Sequence, residues 1–420
     1  MKKVLVITYY WPPSGGPGVQ RILKFCKYLP HFGWEPIVLT VENGEYPNID
    51  HSLLDEVESL KIKVFKTKTI EPFGIFKFFT NKKSLPTFEL NKDKKSIFNN
   101  LASWIRMNLF IPDARIGWLP FAIKSAKKIV LNNKVDLVFS SGPPHSLHFI
   151  GHRLKRDLSI PWVADFRDPW VDLFYYSEHK RLKISKKLDI IMEREILSKA
   201  DKIVTATNGL KILLKNKIKK NISVVYNGFD DDDFIGLNKK NIHNGKIIIS
   251  YVGTIARSQI PHIFFQAVKK MNDSGANVFI HFVGDVDPSL IRVIDDYGLR
   301  KHVETIGYLP HNESIKKMLN SNFLLLIIPK TPDNKLIVTG KLFEYIRTGI
   351  PIIGIGPSEG DASQILEQTN SGRMFDYSDS LPIINFIKEN KKSNGFNIEY
   401  YSREAQTQIL AEEFRKYIND

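Results

Sequence analysis

The sequence predicts an α/β chain made of two Rossmann-like domains that face a cleft. Its 420 residues exceed what one ordinary hydrophobic core uses. Short apolar runs alternate with amphipathic helical stretches, and this pattern restarts at IIISYVG after the polar stretch 227–246. Such alternation indicates parallel sheets with right-handed crossovers. We therefore expect domains at 1–240 and 241–397, with an amphipathic C-terminal helix at 398–420 packing back on the first.

The strands of the first domain are predicted from apolar runs bounded by turn residues, which are typical of buried parallel strands. They are expected at 4–9, 35–41, 61–66, 135–140, 161–166, 202–206 and 222–226. Helices with one apolar face are expected at 19–31, 119–132, 146–158, 184–199 and 208–219.

The second domain repeats the alternation with shorter connections. Its strands are expected in IIISYVG, VFIHFVG, VETIGYL, FLLLIIP and PIIGIG. Its helices are expected at 261–272, at 312–320, from 340 onward and near 361–369. Ligands of open α/β sheets bind beyond the carboxyl ends of the strands, and nearly every such end here is rich in Gly, Pro or polar residues. The sequence therefore favours one shared cleft.

Composition narrows the class of protein. No apolar run approaches the roughly 20 residues that span a bilayer, and the chain opens with a strand rather than with a signal peptide. Cys26 is the single cysteine, so no intramolecular disulfide forms. These features predict a cytoplasmic protein. The net charge of +15 predicts an acidic partner such as a polyanion, an anionic membrane or an acidic small molecule.

The opening loop, PPSGGPG, joins the first strand to the first helix. Gly15, Gly16 and Gly18 permit backbone conformations and close approaches that side chains would block. A glycine-rich turn at a helix N-terminus also presents unpaired N–H groups to an anion. The spacing is not G-x-G-x-x-G, so a tight turn and an anion site both remain open at this point.

Several motifs together resemble one enzyme family over essentially the whole chain. They are PPSGGPG, the interdomain VVYNGFD, the FVG strand end, GYLPHNES and, most specific, GKLFEYIRTGIPII. The chain resembles the GT-B-type retaining glycosyltransferases of family 4, and SGPPHSL with ADFRDPW resembles a bacterial envelope-polysaccharide branch. The resemblance implies transfer of a sugar, with retention and without a metal, from a nucleotide-diphosphate donor in the C-terminal domain. The acceptor, a lipid-linked glycan or an oligosaccharide, would bind the N-terminal domain.

The chain departs from the family pattern at three places. Many members carry two glutamates eight residues apart, and here Glu344 matches the second while Leu336 takes the first position. Many have Gly-Arg after the first C-domain strand, where this chain has Gly253-Thr254. Many have a histidine where this chain has Arg167 in Phe-Arg-Asp.

Strand-end position and the resemblance together assign the candidate site residues. The candidate catalytic residues are His145, Asp168, Arg257 and Lys341. The candidate substrate-binding residues are Gly15, Gly16, Asp165, Arg167, Gly253, Thr254, Gly284, Tyr308, Leu309, Thr339, Gly340, Leu342 and Glu344. Lysine and arginine suit a departing diphosphate, and a carboxylate suits ribose hydroxyls.

Each group has a structural alternative. Lys341 and Glu344 would form an exposed ion pair of an ordinary helix. Asp165, Arg167 and Asp168 would form an Arg–Asp pair that shapes a loop. His145 would cap the helix that follows it.

Two acidic strings resemble metal sites. Asp285-Val286-Asp287 precedes a proline, so turn chemistry explains it better than a metal. The aspartates at 230–233 lie in the interdomain stretch and are expected to be solvated. The histidines and the one cysteine lack zinc spacing. We therefore predict no metal and no cofactor beyond the nucleotide sugar as co-substrate.

The segment 61–106 holds eleven Lys or Arg residues against three acidic ones, with phenylalanines interleaved. Cations beside aromatics suit an anionic membrane surface, which predicts a peripheral protein at the inner face of the membrane. The alternative is a buried helix with a solvated basic loop. Because the basic excess lies in one segment, the sequence argues against a nucleic-acid-binding protein. The nearest alternative function is a sugar-nucleotide epimerase of the same architecture. A dehydrogenase is a weaker alternative, because the chain lacks the dinucleotide-binding pattern G-x-G-x-x-G.

Overall fold

The computed structural model describes six stretches of the chain. They are residues 1–46, 49–70, 104–172, 181–239, 245–389 and 395–418. The chain divides into two compact units: unit 1 contains Met1–Asn227 with Arg403–Asp420, and unit 2 contains Gly228–Ser402. The division falls at the start of the polar stretch 227–246 in which the sequence analysis places the domain boundary.

Unit 1 is built on a seven-stranded parallel sheet. Its strands are β1 (Lys2–Ile7), β2 (Trp34–Val41), β3 (Lys63–Thr67), β4 (Leu137–Gly142), β5 (Trp162–Phe166), β6 (Lys202–Thr205) and β7 (Ile222–Val224). Their spatial order is 3-2-1-4-5-6-7. The order therefore reverses between β1 and β4, where open parallel sheets form a ligand crevice at the carboxyl ends of their strands.

Within the described part of unit 1, residues 104–109 are helical and six longer helices connect these strands. They are α1 (Pro17–Tyr28), α2 (Ser52–Ser59), α3 (Leu119–Asn133), α4 (His148–Leu158), α5 (Lys183–Lys199) and α6 (Asn208–Lys215). Their apolar faces join the buried strand residues in two core clusters. Cys26 lies on the buried face of α1, as the sequence predicts, and burial raises the pKa of its thiol.

Unit 2 carries a six-stranded parallel sheet in the order 3-2-1-4-5-6 of a Rossmann fold. Its strands are β8 (Ile247–Val252), β9 (Val278–Val283), β10 (Val303–Gly307), β11 (Phe323–Ile327), β12 (Ile352–Ile355) and β13 (Gly372–Phe375). The helices are α7 (His262–Asp273), α8 (Pro288–Asp296), α9 (His311–Leu319), α10 (Gly340–Thr348), α11 (Asp361–Gln368) and α12 (Leu381–Glu389). Here the strand order reverses between β8 and β11.

The final helix, α13 (Arg403–Arg415), belongs to unit 1. Its residues Leu410, Ala411 and Phe414 are fully buried in the cluster that also contains Val4 and Phe139 of the sheet. The α-helix begins at Arg403 rather than at 398, because Ser402 has extended backbone and residues 398–401 form a separate 3-10 turn.

The two parallel sheets confirm the predicted α/β class with two Rossmann-like domains. Every predicted strand is present, although β1 lies two residues earlier and β4 two residues later than predicted. The sequence analysis did not predict the helices α2, α8 and α12 or the strand β13, each of which is only four to nine residues long. Within the described residues, none of the helices is both long enough and apolar enough to cross a membrane.

Candidate functional site

Two glycines mark the carboxyl ends of neighbouring strands in unit 2. Gly253 follows β8 with φ +125°, and Gly284 follows β9 with φ +120°, a region that side chains rarely adopt. A Cβ on Gly284 would lie 2.7 Å from the carbonyl oxygen of Gly253. Glycine at both positions therefore lets the two strand ends approach each other closely.

Lys341 reaches this strand end from the first turn of α10. Its Nζ donates a 2.6 Å hydrogen bond to the Tyr251 hydroxyl and lies 3.9 Å from the centroid of the tyrosine ring. A Cβ on Gly253 would come within 2.7 Å of the same Nζ. Burial lowers the pKa of Lys341 to about 8, and the Glu344 carboxylate opposes that shift. The structure therefore brings Lys341 and Gly253 together across the reversal of strand order.

The N-terminus of α10 is left without a side-chain cap. Thr339 is the N-cap residue, and its side chain accepts no hydrogen bond from the helix. Among the described residues, no group bonds the buried Thr339 hydroxyl oxygen. The helix N-terminus presents its N–H groups and the positive end of its dipole. Together with the Lys341 ammonium, these donors can hold a diphosphate.

Glu344 lies one turn further along α10. Its Oε1 is 3.9 Å from Nε2 of His311, the first residue of α9, and that nitrogen is also 3.3 Å from Asp233. Tyr308 precedes α9 and is 74% exposed. The sequence analysis did not select His311, although it ends the GYLPH string and carries the imidazole of that string.

The loop before α10 is braced by side chains that the sequence analysis missed. Asn334 donates hydrogen bonds to the Pro329 carbonyl at 3.0 Å and to the Tyr377 hydroxyl at 2.9 Å. Tyr377 in turn donates to the Ile328 carbonyl at 2.9 Å. Leu336 closes a short 3-10 turn, Asn334–Leu336. These hydrogen bonds hold the loop between β11 and α10, which ends at the N-cap residue Thr339.

Arg257 lies in an exposed 3-10 turn after β8. Hydrogen bonds from Ser289 lower the pKa of Asp287, and the charge of Arg257 acts in the same direction. Asp287 caps α8 by accepting from the Ser289 N–H at 2.8 Å. The prediction that this acidic string is turn chemistry therefore agrees with its role as a helix cap.

The aspartates at 230–233 are not simply solvated, which corrects the expectation for them. Asp230 is buried and caps a 3-10 turn, Asp231–Phe234, while Asp231 accepts from Arg347 at 2.5 Å. A buried carboxylate needs such partners to offset its desolvation. Within the described stretches, no three His, Cys, Asp or Glu side chains are grouped so that they could hold a metal ion.

In unit 1, Asp165 is half of a buried ion pair. Arg21 of α1 donates to its two carboxylate oxygens at 2.9 and 3.1 Å, and both side chains are fully buried. Ser141 donates to the same carboxylate at 2.7 Å, and Arg21 also donates to Asn227 at 3.2 Å. Asp165 therefore ties β5 to α1 and to the end of unit 1. The sequence analysis grouped Asp165 with Arg167 and Asp168 and did not anticipate the ion pair with Arg21.

Arg167 binds backbone instead. Its guanidinium donates to the Gly142 carbonyl at 3.0 Å and to the Pro143 carbonyl at 2.5 Å. A Cβ on Gly18 would lie 2.0 Å from Nη1 of Arg167, so the opening loop needs glycine there for packing. Asp168 is exposed, and its part in a substrate site stays a prediction.

His145 is a stacked, buried imidazole. Its ring packs parallel to Trp170 at 5.0 Å and against Phe166, and burial lowers its pKa to about 3. Its Nε2 donates to the Pro169 carbonyl at 3.2 Å. The turn that begins at His145 is capped from outside, since Asp113 accepts from the Ser146 N–H at 2.8 Å. The imidazole is therefore neutral, and the helix-capping alternative for it was wrong.

The opening loop of unit 1 borders a cavity of about 510 Å³. The cavity is lined at the carboxyl ends of β1, β2 and β3 by residues that include Pro12, Pro13, Thr40, Glu42, Tyr46 and Lys66. Gly16 is the N-cap of α1 and has φ +106°, which requires glycine. The turn interpretation of Gly16 therefore holds, while ligand contacts of Gly15 and Gly16 stay a prediction.

Solved structures show the same fold at low sequence identity. Sucrose-phosphate synthase from Thermosynechococcus elongatus is 13% identical with a TM-score of 0.65, covering 99% of each chain. Anabaena HepE, solved with UDP and glucose, is 13% identical with a TM-score of 0.61, covering 99% of this chain and all of that one. A proposed UDP-N-acetylglucosamine 2-epimerase from Listeria monocytogenes is 12% identical with a TM-score of 0.53, covering 100% and 98%. Among curated protein sequences there is no match.

The family profile of Glycosyltransferase Family 4 matches residues 18–233. This range is just over half of the 420 residues and includes the ion pair of Arg21 and Asp165. A solved glycosyltransferase from Rickettsia africae, 14% identical with a TM-score of 0.58, covers 100% of this chain and 94% of that one. The chain belongs to Glycosyltransferase Family 4 and is a glycosyltransferase with the GT-B fold.

Proposed function

We propose that this glycosyltransferase moves a sugar, with retention and without a metal, from a nucleotide-diphosphate sugar to a lipid-linked glycan or oligosaccharide acceptor. The reaction serves cell-envelope polysaccharide synthesis at the cytoplasmic face of the membrane. The proposal is supported by the resemblance of GKLFEYIRTGIPII and by the geometry around Lys341.

One observation carries the donor side of the proposal. The Lys341 ammonium, the uncapped N-terminus of α10 and the unbonded Thr339 hydroxyl all lie beside the reversal of strand order in unit 2. Gly253 leaves space next to the ammonium that a side chain would fill. A group with two phosphates supplies the negative charge and the acceptor oxygens that these donors lack.

The chemistry asks the protein mainly for positioning and for charge stabilisation. The bond between the anomeric carbon and the diphosphate oxygen breaks, and a bond from an acceptor hydroxyl oxygen to the same carbon forms. Negative charge grows on the departing diphosphate, where Lys341 and the α10 N–H groups stabilise it. Glu344, on the same helix, is suited to accept hydrogen bonds from the ribose hydroxyls throughout.

The acceptor side of the proposal is supported by two features of unit 1. The cavity beside the opening loop offers both apolar and charged lining, from Pro12 and Tyr46 to Glu42 and Lys66. The basic segment 61–106 predicts an anionic membrane, where lipid-linked acceptors are found. Residues 71–103 of that segment lie outside the described residues.

A thermal-shift series with UDP-, GDP- and dTDP-sugars tests the donor class. A donor at 100 times its dissociation constant stabilises the folded chain by about 2.7 kcal/mol. UDP-glucose is the first donor to test, because the HepE structure contains UDP and glucose. No stabilisation by any nucleotide, combined with tight binding of duplex DNA, would favour a nucleic-acid-binding protein instead.

The epimerase alternative shares the fold, with the lower TM-score of 0.53 for the Listeria structure against 0.65 for sucrose-phosphate synthase. Incubation with the stabilising nucleotide sugar alone separates the two activities. An epimerase converts the free nucleotide sugar to its epimer without any acceptor. The proposed transferase leaves the sugar configuration unchanged and releases nucleoside diphosphate when acceptor is added.

A further inference from the structure

Helix α5 of unit 1 buries Ile196 and Leu197 near its C-terminal end but exposes the apolar residues of its first half. Ile184, Leu188 and Ile191 recur at helical spacing on one face and are 66%, 40% and 49% exposed. The opposite face buries Asp189 and Glu193 completely. An ordinary surface helix buries its apolar stripe, whereas α5 carries a second apolar stripe that faces solvent.

The buried carboxylates fix this orientation. Asp189 accepts a hydrogen bond from the Trp170 indole at 3.1 Å and pairs with Arg181. Glu193 accepts from the Lys217 ammonium at 2.6 Å. Rotating the helix to hide its isoleucines would strip both buried carboxylates of their partners, which is strongly destabilising. Ile184 and Ile191 therefore remain on the exposed face of α5.

The exposed apolar surface continues onto the helical residues 104–109, which precede α3 in the chain. Trp104 is 40% exposed and Leu109 is 63% exposed. The two segments are in direct contact, since Asn108 accepts from the Leu182 N–H at 2.6 Å and from the Ser185 hydroxyl at 3.0 Å. We name these apolar residues, with their neighbours on α5, the α5 surface.

Cations surround the apolar residues of the α5 surface. The exposed basic residues of the helix are Lys183, Lys186, Lys187, Arg194 and Lys199. Glu195 is the exposed carboxylate of the same helix. The α5 surface therefore combines isoleucine, leucine and tryptophan with a clear excess of positive charge.

We propose that the α5 surface docks flat on an anionic lipid bilayer, with its isoleucines in the acyl boundary and its lysines at the headgroups. Apolar side chains flanked by lysines, with tryptophan at the edge, fit the interfacial zone of a membrane. A protein partner fits less well, because protein interfaces are depleted in lysine, whereas anionic lipids attract it. The inference rests on the proposed function and deepens it, since it names the surface that brings the enzyme to a lipid-linked acceptor.

Vesicle flotation with the full chain tests the proposal. The vesicles contain phosphatidylcholine with about one third phosphatidylglycerol, and pure phosphatidylcholine vesicles serve as the neutral comparison. Ile184→Ser with Ile191→Ser should weaken binding to the anionic vesicles about tenfold or more. Lys183→Gln with Lys187→Gln should weaken it by a similar factor, and most strongly at low salt.

A matched control lies on another helix of the same unit. Leu131 is 64% exposed on α3, and Lys128 is exposed one turn before it. Leu131→Ser with Lys128→Gln makes one exposed aliphatic and one exposed lysine substitution away from α5 and should leave vesicle binding unchanged. Turnover on a short soluble acceptor should be unchanged in all three double variants, so failure of vesicle binding is distinguished from failure of the proposed glycosyl transfer.

Trp104 provides an independent readout. The other five tryptophans of the chain are at most 2% exposed. Brominated phosphatidylglycerol should therefore quench Trp104 fluorescence when the vesicles bind, and Trp104→Phe should abolish the quenched fraction.

Three results would overturn the proposal. One is unchanged flotation of both α5 double variants. Another is vesicle binding that is lost only on changing Lys77, Lys82 and Lys83, which lie outside the described residues. The third is a dimer, seen by sedimentation velocity, that Ile184→Ser with Ile191→Ser dissociates, because it would make the α5 surface an interface between copies of this chain.

Discussion

Replacing Lys341 by alanine should lower turnover far more than it lowers donor affinity. The ammonium lies beside the α10 N-terminus with Tyr251 as its hydrogen-bond partner, so it can follow the growing charge of a departing diphosphate. One charge-assisted hydrogen bond contributes about 1.5–3 kcal/mol, and 1.36 kcal/mol is a factor of ten in rate. Turnover should therefore fall roughly 10- to 150-fold, with a smaller loss in donor affinity.

The lowered pKa of Lys341 adds a pH signature to this prediction. With a pKa of about 8, the free enzyme carries the charged ammonium below pH 8 and loses it above. The value of kcat/KM should then fall as the pH rises through about 8. A bound diphosphate favours the charged form, so the same fall in kcat should appear at higher pH. Lys341→Ala should show neither alkaline limb.

The assay is steady-state release of nucleoside diphosphate, with donor affinity measured separately by calorimetry. Lys335→Ala is the matched control, because Lys335 lies in the loop before the same helix, is 57% exposed and pairs with Glu359. Tyr251→Phe should produce an intermediate loss by removing the hydrogen bond that positions Nζ. Wild-type turnover in a folded Lys341→Ala variant, or an alkaline limb that survives it, would refute the assignment of the leaving-group site.

Three further predictions concern the framework around the site. Gly284→Ala places a Cβ 2.7 Å from the Gly253 carbonyl oxygen at φ +120°, so the free energy of thermal unfolding should fall by about 2–4 kcal/mol. The control is Gly349→Ala, which has open space at φ +65° and should lower that free energy by only about 1 kcal/mol. Asp165→Asn should lower the urea unfolding free energy by about 3–5 kcal/mol because it leaves the Arg21 charge buried, and replacing both residues by apolar ones should recover part of it; equal losses in the single and double variants would contradict the ion-pair argument. Burial lowers the pKa of His145 from 6.5 to about 3 in the folded chain, so between these pH values the unfolded chain binds the extra proton. The contribution of His145 to the unfolding free energy therefore falls by about 1.4 kcal/mol for each pH unit below 6.5. His145→Phe should reduce that acid slope, and an unchanged slope would show that the imidazole titrates normally.

The architecture follows from periodicity because each strand is a continuous apolar run. Val4–Ile7 and FLLLI can only be buried on both faces, and the helices between such runs impose parallel pairing. The strand β13 (Gly372–Phe375) escaped prediction because its four residues include a glycine and an exposed arginine. Its place in the sheet depends on pairing with β12, which is a tertiary contact.

The site could be predicted residue by residue but not as an arrangement. Lys341 and Gly253 were both predicted because they lie at the end of a strand or the start of a helix. Their contact joins positions 88 residues apart, so no local sequence pattern predicts it. Tyr251 gave no signal at all, because a tyrosine in a buried strand is ordinary. Asp165 was grouped with the nearby Arg167 and Asp168, while its ion-pair partner Arg21 lies 144 positions away. Spacing identifies candidates, and only packing determines their partners.

Helix α5 shows the same limit in another form. Its periodicity predicts a helix with one apolar face, and the structure contains that helix. Periodicity does not determine which face points inward, and here the ion pairs of Asp189 with Arg181 and of Glu193 with Lys217 hold both carboxylates on the inner face. The helix itself was therefore predicted correctly, but the α5 surface could not be predicted from the sequence.

The chain order of the two units has a consequence for biosynthesis. Unit 2 is one continuous segment, Gly228–Ser402, and can complete its fold as soon as that segment has left the ribosome. Unit 1 lacks Leu410 and Phe414, which fill its core beside Val4 and Phe139, until translation has passed residue 414. The half synthesised first therefore finishes folding last, because the apolar surface of β1 and β4 stays exposed to chaperones until α13 has left the ribosome and packed on it.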